Sequence, residues 1–396
     1  MLGKNFCPCS FVLPMPLRPR LSRWPWHYAG TTVPRCRAPP PLLPSRRLTT
    51  APASKPKVDV YVSKVTDPWI NLAFEEWLFR KPDSADHVLY LWRNTKCVVV
   101  GRNQNPWKEC HLELMQQENV PLVRRRSGGG TVYHDIGNTN YTIIMPRETF
   151  DRRTNAELVV RSLHQLDVPA SVNTRHDIVV TDDIDGVDKK VSGSAYKLVN
   201  TRAYHHGTML IDADLGALGR YLRPPPKNLV GKGVESVRST VGRLRDYSYT
   251  VDHLSFCEEV AAEFCRSHGA DAKPPIELTA SDLDRDPKIR QYHDEITTWD
   301  WIYGQTPDFT HRLEQRFGWG AVDIILKVHR GIIVEAAVSF ADAPALVAVA
   351  MRLAERLKGL LRVGRGTLGD EQFPSSGWFT HEKSGFSHLK TFVCCL

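Results

Sequence analysis

A chain of 396 residues, 42% hydrophobic and 24% charged, has the size and composition of a globular protein with one large and one small domain, or two of similar size. No run approaches the ~18 apolar residues that a membrane-spanning helix needs. The net charge of +8 loses its nucleic-acid meaning once its distribution is read: ten Lys or Arg and no Asp or Glu precede Asp59, which leaves the rest at −2.

Residues 1–56 form the basic leader. Arg18, Arg20, Arg23, Arg35, Arg37, Arg46 and Arg47 are interspersed with Ser and Thr and no acid, the composition of an organellar transit peptide. Mitochondrial import is the expectation, with cleavage near Arg46–Thr50. The many prolines spoil a clean amphipathic helix, which leaves a disordered basic tail as the other reading. The nine cysteines show neither metal-ligand spacing nor a disulfide framework, so free thiols in a reducing compartment are expected.

The folded part starts near Lys57. "TDPWINLAFEEWLFR" predicts a helix with Asp67 as N-cap and Pro68 in the first turn. "HVLYLWRNTKCVVVGRNQNPW" predicts two short strands around an Asn94-Thr95 turn. "VPLVRRRSGGGTVYHDIGNTNYTIIMP" is β-rich at both ends with glycines between. "HDIVVTDDIDGVDKKVSGSAYKLVNTRAYHHGTMLIDADL" predicts a meander of three strands with a turn at Asp185-Gly186. Helical patterns lie near Leu158–Leu166 and His253–Ser267. "WDWIYGQTPDF" is turn-rich and aromatic, "AVDIILKVHRGIIVEAAVSF" predicts a hairpin, and "PALVAVAMRLAERLKGLL" a helix. Strands and helices mix without a regular βαβ alternation, which points to an α+β fold rather than a doubly wound one. The expected layout is a leader over 1–56, a catalytic domain over 57–305, a small accessory domain over 306–365 and an unassigned tail over 366–396.

Four segments carry residue types suited to chemistry. No GxxxxGK[ST] string is present, and the GxGxxG match at 364–369 has no βαβ unit around it, so neither standard phosphate fingerprint applies. Ser127-Gly128-Gly129-Gly130 is either a wide turn or a backbone wall against a ligand. Lys190 enters a strand beside small residues, as a solvated strand end or as a cation for an anion. His205 and His206 point to opposite strand faces and so do not share one metal; one faces a cleft and the other is packed or solvated. Asp177, at a strand start, is either a turn residue or a Mg²⁺ ligand.

Together these segments resemble the lipoate–protein ligase and lipoyltransferase family. The match is ordered: "GRNQNPWKEC" (101–110), "RRRSGGGTVYHDIGNTNYT" (124–142), "KKVSGSAYK" (189–197), "HHGTMLIDADL" (205–215), "KGVESVRSTV" (232–241) and "WDWIYGQTPDF" (299–309). The resemblance implies a mixed-sheet catalytic domain of the biotin/lipoate protein ligase type with a small C-terminal α/β accessory domain. It implies lipoate and MgATP as substrates, lipoyl-AMP as intermediate, and the acceptor lysines of 2-oxoacid dehydrogenase lipoyl domains and the glycine cleavage H protein as targets, in the mitochondrial matrix. It implies Lys190 as the catalytic cation and Asp177 as the magnesium-linked carboxylate. Arg125, Ser127, Gly128, Gly129 and Gly130 match the lipoyl-adenylate loop, and His134 and Asn138 match nearby binding positions. Ser192, Gly193, Ala195 and His206 lie on matching strands. His176 stands where the family usually has Asn, and the stretch from Asp177 to Lys190 is longer than in compact bacterial relatives. Ligases and transferases that use preformed lipoyl-AMP, lipoyl-CoA or a lipoylated donor protein share these motifs, so both activities stay open. Neither a nucleic acid nor a membrane is an expected partner.

Overall fold

The computed structural model describes residues 57–81, 85–182, 185–222, 228–317, 320–341 and 347–358. The leader, the 364–369 string and the tail from 366 lie outside the described residues.

Strand β1 (Val58–Ser63) leads into helix α1 (Pro68–Phe79), where Asp67 accepts from the Trp69 and Ile70 amides at 2.9 and 3.0 Å. β2 (His87–Trp92) sends Leu89 and Leu91 into one core and Val88, Tyr90 and Trp92 into another. Both its faces are buried, which is why its sequence is apolar throughout. β3 (Cys97–Val100) follows but does not pair with β2; it joins a different sheet. The turn between them is held away from β2 by buried Asn71 of α1, whose amide donates to Arg93 O and Asn94 Oδ1 at 3.1 and 2.9 Å. Short helices α2 (Pro106–Glu109) and α3 (Leu112–Gln117) come next. β4 (Leu122–Arg124), β5 (Val132–His134) and β6 (Asn138–Pro146) flank the glycine loop, and α4 (Arg152–Gln165) is capped by Asp151.

The expected three-strand meander is instead β8 (Ile178–Thr181), β9 (Asp188–Ser192), β10 (Ser194–Leu198) and β11 (Arg202–Leu210), preceded by β7 (Ala170–Val172). The chain changes sheets at Gly193, whose amide donates to Thr208 Oγ1 (3.0 Å) and whose carbonyl accepts from the Thr208 amide (2.9 Å). Sequence periodicity does not register this change because the strand pattern continues through it. Then come α5 (Leu215–Tyr221), β12 (Leu229–Gly231), α6 (His253–Ser267), β13 (Ile276–Leu278), α7 (Asp282–Arg285), α8 (Pro287–Ile296) and α9 (Trp299–Ile302). The last elements are β14 (Phe309–Phe317), β15 (Gly320–His329), β16 (Ile332–Ala341) and α10 (Val347–Leu357).

A six-stranded mixed sheet in the order β10-β11-β6-β2-β1-β13 is the spine, parallel through β2-β1-β13 and antiparallel elsewhere. Helices α4 and α6 bury Leu163, Phe256 and Phe264 in one core, and α1 and α8 bury Phe74, Leu78 and Ile289 in the other. Two three-stranded sheets, β4-β3-β5 and β7-β8-β9, stand beside it, and the architecture is α+β. The antiparallel sheet β12-β14-β15-β16 has its own core around Phe309, Ile324 and Leu326. It is not built from C-terminal residues alone, because β12 pairs with β14 at Leu229↔His311. Trp107 of α2 packs into that core, 5.4 Å from the Phe309 ring.

Arg124 fastens these parts together. Its fully buried guanidinium donates to the carbonyls of Gly101, Arg102, Gln104 and Ile302 at 2.8–3.1 Å and to Thr306 Oγ1 at 3.0 Å. Truncation would leave several buried acceptors unpaired, at ~1–3 kcal/mol each. Arg124→Ala is therefore expected to lower unfolding stability by at least about 3 kcal/mol in urea titrations; a loss below about 1 kcal/mol would remove Arg124 from this role.

Candidate active site

A cavity of about 350 Å³ opens where the six-stranded sheet, the β4-β5 loop and the β7-β8-β9 sheet converge. Arg125, Gly129, Gly130 and His134 line it from the glycine loop and β5. Asp177, Lys190, Gly193, Ala195 and His206 line it from the strands opposite. Ser127, Gly128, Asn138 and Ser192 are not among the residues that line it. Residues 234–237 cross its mouth.

The glycine loop is shaped by Arg125. This buried guanidinium donates to Val99 O (3.2 Å), Gly128 O (2.6 Å), Gly130 O (2.7 Å) and Ser127 Oγ (2.9 Å). Burial lowers its pKa to about 10, so it stays cationic at neutral pH. In a trans peptide the N–H points opposite the carbonyl. Turning Gly128 O toward Arg125 therefore turns the Gly129 amide away from it. Gly129 has φ 84°, and a Cβ there would sit 3.0 Å from Arg125 Nη2 and 3.2 Å from Ala195 Cβ. Gly101 is needed for closeness: a Cβ would stand 2.2 Å from Gly129 O.

A buried relay backs this loop. Ser127 Oγ lies 2.7 Å from His206 Nε2, His206 Nδ1 lies 2.8 Å from Glu75 Oε1, and Thr142 Oγ1 donates to the same oxygen at 2.7 Å. Burial pushes the Glu75 carboxyl up, but the charge and hydrogen bond of His206 and the Thr142 hydroxyl outweigh it, and the net shift is downward. An ionised Glu75 holds a proton on His206 Nδ1. In the neutral ring that leaves Nε2 to accept from the Ser127 hydroxyl. His205 faces the other way, bonded to Ser194 Oγ at 2.8 Å and packed on Tyr196.

Lys190 Nζ pairs with Asp177 Oδ1 at 2.8 Å on the opposite wall. The Lys190 backbone is pinned by residues past the mouth segment: its amide donates to Thr240 O (2.8 Å) and its carbonyl accepts from Gly242 N (3.0 Å). Asp177 follows His176, whose φ of 62° lies in the left-handed region. Asn and His are among the side chains that tolerate it, so His176 fits this turn. Ser236 Oγ tethers the mouth segment, bonding Glu109 Oε2, Gln104 Nε2 (3.1 Å) and the Thr131 amide (2.9 Å).

Two cavity-wall donors, His134 Nε2 and Asn140 Nδ2, are buried and have no partner among the described residues. His134 Nδ1 takes the Asn94 amide at 3.0 Å, so the neutral ring carries its proton on Nε2. Leaving such donors unpaired costs ~1–3 kcal/mol each, which suits a polar ligand atom there. Leu72, Trp92, Val99 and Val132 give the cavity an apolar side. Among the described residues no cluster of three metal-ligating side chains occurs. Mg²⁺ carried by nucleotide phosphates needs only one or two carboxylates, and Asp177 and Glu235 are those on the wall.

Glu75 and Arg175 were not singled out in the sequence, and Asn140 and residues 234–237 appear there only within quoted strings, without a role. Asn140 was within reach, since it shares a strand face with Asn138 and its Oδ1 takes the Asn138 amide at 3.1 Å. No local signal marks Glu75 of α1 as buried.

Residues 67–265 match the family model described as the lipoyl protein ligase A/B catalytic domain. A lipoate-protein ligase A of Psychrobacter cryohalolentis is 39% identical over 291 residues, 72% of this chain and 84% of that protein. The crystal structure of P. falciparum LipL1 in complex with lipoate aligns with a TM-score of 0.55 at 22% identity, over 85% of this chain and 99% of that one. A lipoate-protein ligase A bound with ATP aligns with a TM-score of 0.50 at 24% identity, over 63% and 98%. The two structures share the fold.

The buried histidines set a pH dependence. Burial and then neighbouring positive charge lower the pKa of both His134 and His205 to about 3. Above the ordinary value of 6.5 both are neutral in either state. Below it the unfolded chain takes up protons that the folded chain does not, so stability falls as pH drops from 6.5 toward 3, by ~1.36 kcal/mol per pH unit for each residue. Urea midpoints should decline between pH 7 and 5, and His134→Gln combined with His205→Gln should flatten that decline. An unchanged slope in the double variant would contradict neutral burial.

Proposed function

The chain belongs to the lipoyl protein ligase A/B catalytic-domain family and is an enzyme of the lipoate–protein ligase class, and on that premise we propose that it activates lipoate with MgATP and passes the lipoyl group to lysines of lipoyl domains. The observation that carries this reading is the 2.8 Å Lys190–Asp177 pair facing the Arg125-held glycine loop across one cavity. In the first step a lipoate carboxylate oxygen attacks the α-phosphorus of ATP. The bond from that phosphorus to the bridging oxygen breaks, its electron pair leaves with pyrophosphate, and lipoyl-AMP forms. In the second step an acceptor lysine amine attacks the anhydride carbonyl, AMP leaves with the C–O electron pair, and the amine loses a proton.

Both steps bring negative charge together. Lys190 offsets it by direct contact with the acyl carbonyl and phosphate oxygens. Arg125, whose guanidinium lines the cavity while gripping the loop carbonyls, holds the Gly129 amide in place and adds a positive field. The apolar side chains Leu72, Trp92 and Val99 accept the acyl chain. Asp177 would hold the Mg²⁺ that accompanies ATP, which would supply screening of the phosphate charge; Lys190, paired with Asp177 here, would then give up that partner. The anhydride is already activated, so no protein nucleophile is required, and Cys97 and Cys110 are buried thiols away from the cavity lining. Acceptors are the lipoyl domains of 2-oxoacid dehydrogenase complexes and the glycine cleavage H protein, and the leader fits import into the mitochondrial matrix.

Lys190→Ala is expected to lower both lipoate-dependent ATP–pyrophosphate exchange and transfer from supplied lipoyl-AMP by about 10²–10³ while circular dichroism stays native. A variant with full lipoylation would refute the assignment. Wild-type enzyme that transfers from lipoyl-AMP but shows no exchange would make it a transferase instead.

A further inference from the structure

Three cations line the cavity among the described residues: Arg125, Arg175 and Lys190. Arg125 spends four donor contacts on its own loop and Val99. Lys190 is paired with Asp177. Arg175 has no guanidinium hydrogen bond among the described residues; its Nε lies 3.9 Å from Asp177 Oδ2, and its side chain is 49% exposed.

Its position is nonetheless built. Asn173 Oδ1 takes the amides of both Arg175 (2.9 Å) and Asp177 (3.0 Å), and Asn173 N donates to Asp177 O at 3.0 Å. With His176 in the left-handed region, this tight turn between β7 and β8 brings Arg175 and Asp177 onto the same cavity wall. Asp177 thus sits between two cations, one bonded and one held at longer range. A planar guanidinium with uncommitted donors at a cavity mouth matches the bidentate geometry of phosphate oxygens.

We propose that Arg175 is the polyphosphate clamp of this enzyme, binding the β- and γ-phosphate oxygens of ATP and then the departing pyrophosphate. This rests on the ATP-dependent activation proposed above. The breaking bond sends its electron pair to pyrophosphate, and Arg175 meets the charge that builds there. The transfer step releases only AMP and has no β- or γ-phosphate, so Arg175 contributes little to it.

The two half-reactions separate the possibilities. Full-length wild type, Arg175→Ala and Arg175→Lys are assayed for lipoate-dependent ATP–pyrophosphate exchange, and for transfer from synthetic lipoyl-AMP to a lipoyl domain. Arg175→Ala is expected to lose roughly ten- to hundredfold in kcat/KM for MgATP, with Arg175→Lys between it and wild type. Transfer from lipoyl-AMP should stay within about threefold, and the melting temperature should be unchanged. Equal loss in both half-reactions, or unaltered exchange in Arg175→Ala, overturns the clamp while leaving the ligase reading in place. Absence of exchange in the wild type overturns the ligase reading, and the clamp with it.

Discussion

The shape of the site depends on one continuous chain of hydrogen bonds, from Arg125 through Ser127 and His206 to Glu75. It begins at a buried cation and ends at a buried carboxylate on α1. Each link satisfies a group that would be costly to leave unpaired. The cation also grips Gly128 O and Gly130 O, so the glycine loop takes a single conformation with its carbonyls turned inward. A loop with three successive glycines has high conformational entropy when free. Here that freedom is removed by charge-assisted bonds rather than by side-chain packing.

The three consecutive arginines divide labour accordingly. Arg124 ties β4 to the loop after β3 and to α9. Arg125 shapes the glycine loop. Arg126, largely buried, pairs with Glu295 at 2.7 Å and lies over the Trp301 ring at 4.6 Å. Each of the three makes contacts within the fold, although their clustering in the sequence suggests a basic patch. Two further cations of the lining, Lys190 and Arg175, stand on the other wall, more than 40 residues downstream. A cavity with a cationic wall facing a backbone amide wall is suited to joining two anions, and its apolar side suits an acyl chain.

Much of the local structure was legible because local rules governed it. The cap at Asp67, the helix His253–Ser267 and the hairpin of β15 and β16 each follow from a few neighbouring residues, whereas α4 begins at Arg152, six residues before the Leu158 start read from the sequence. Strand partners were less legible. β2 and β3 are neighbours in sequence and belong to different sheets because Asn71, on a helix, captures the turn between them. The change of sheet at Gly193 leaves no mark on apolar alternation, since both strands keep the same period. β12 joins β14 across nearly 80 residues, beyond any local signal.

The residue types and their order determined the class of chemistry: a glycine loop flanked by cations, a strand-entry lysine, a strand-start carboxylate and a histidine pair, all with a near-neutral body. Only the tertiary structure decided which of them meet. It put Lys190 and Asp177 2.8 Å apart, bonded Asn138 to Asn140 and Ser127 to His206, tied Glu75 to that histidine and set Arg175 on the cavity wall. The physical reason is burial. A sequence carries charge and propensity, but whether a guanidinium is spent on its own backbone or left to face a cavity depends on which carbonyls the fold brings within 3 Å of it.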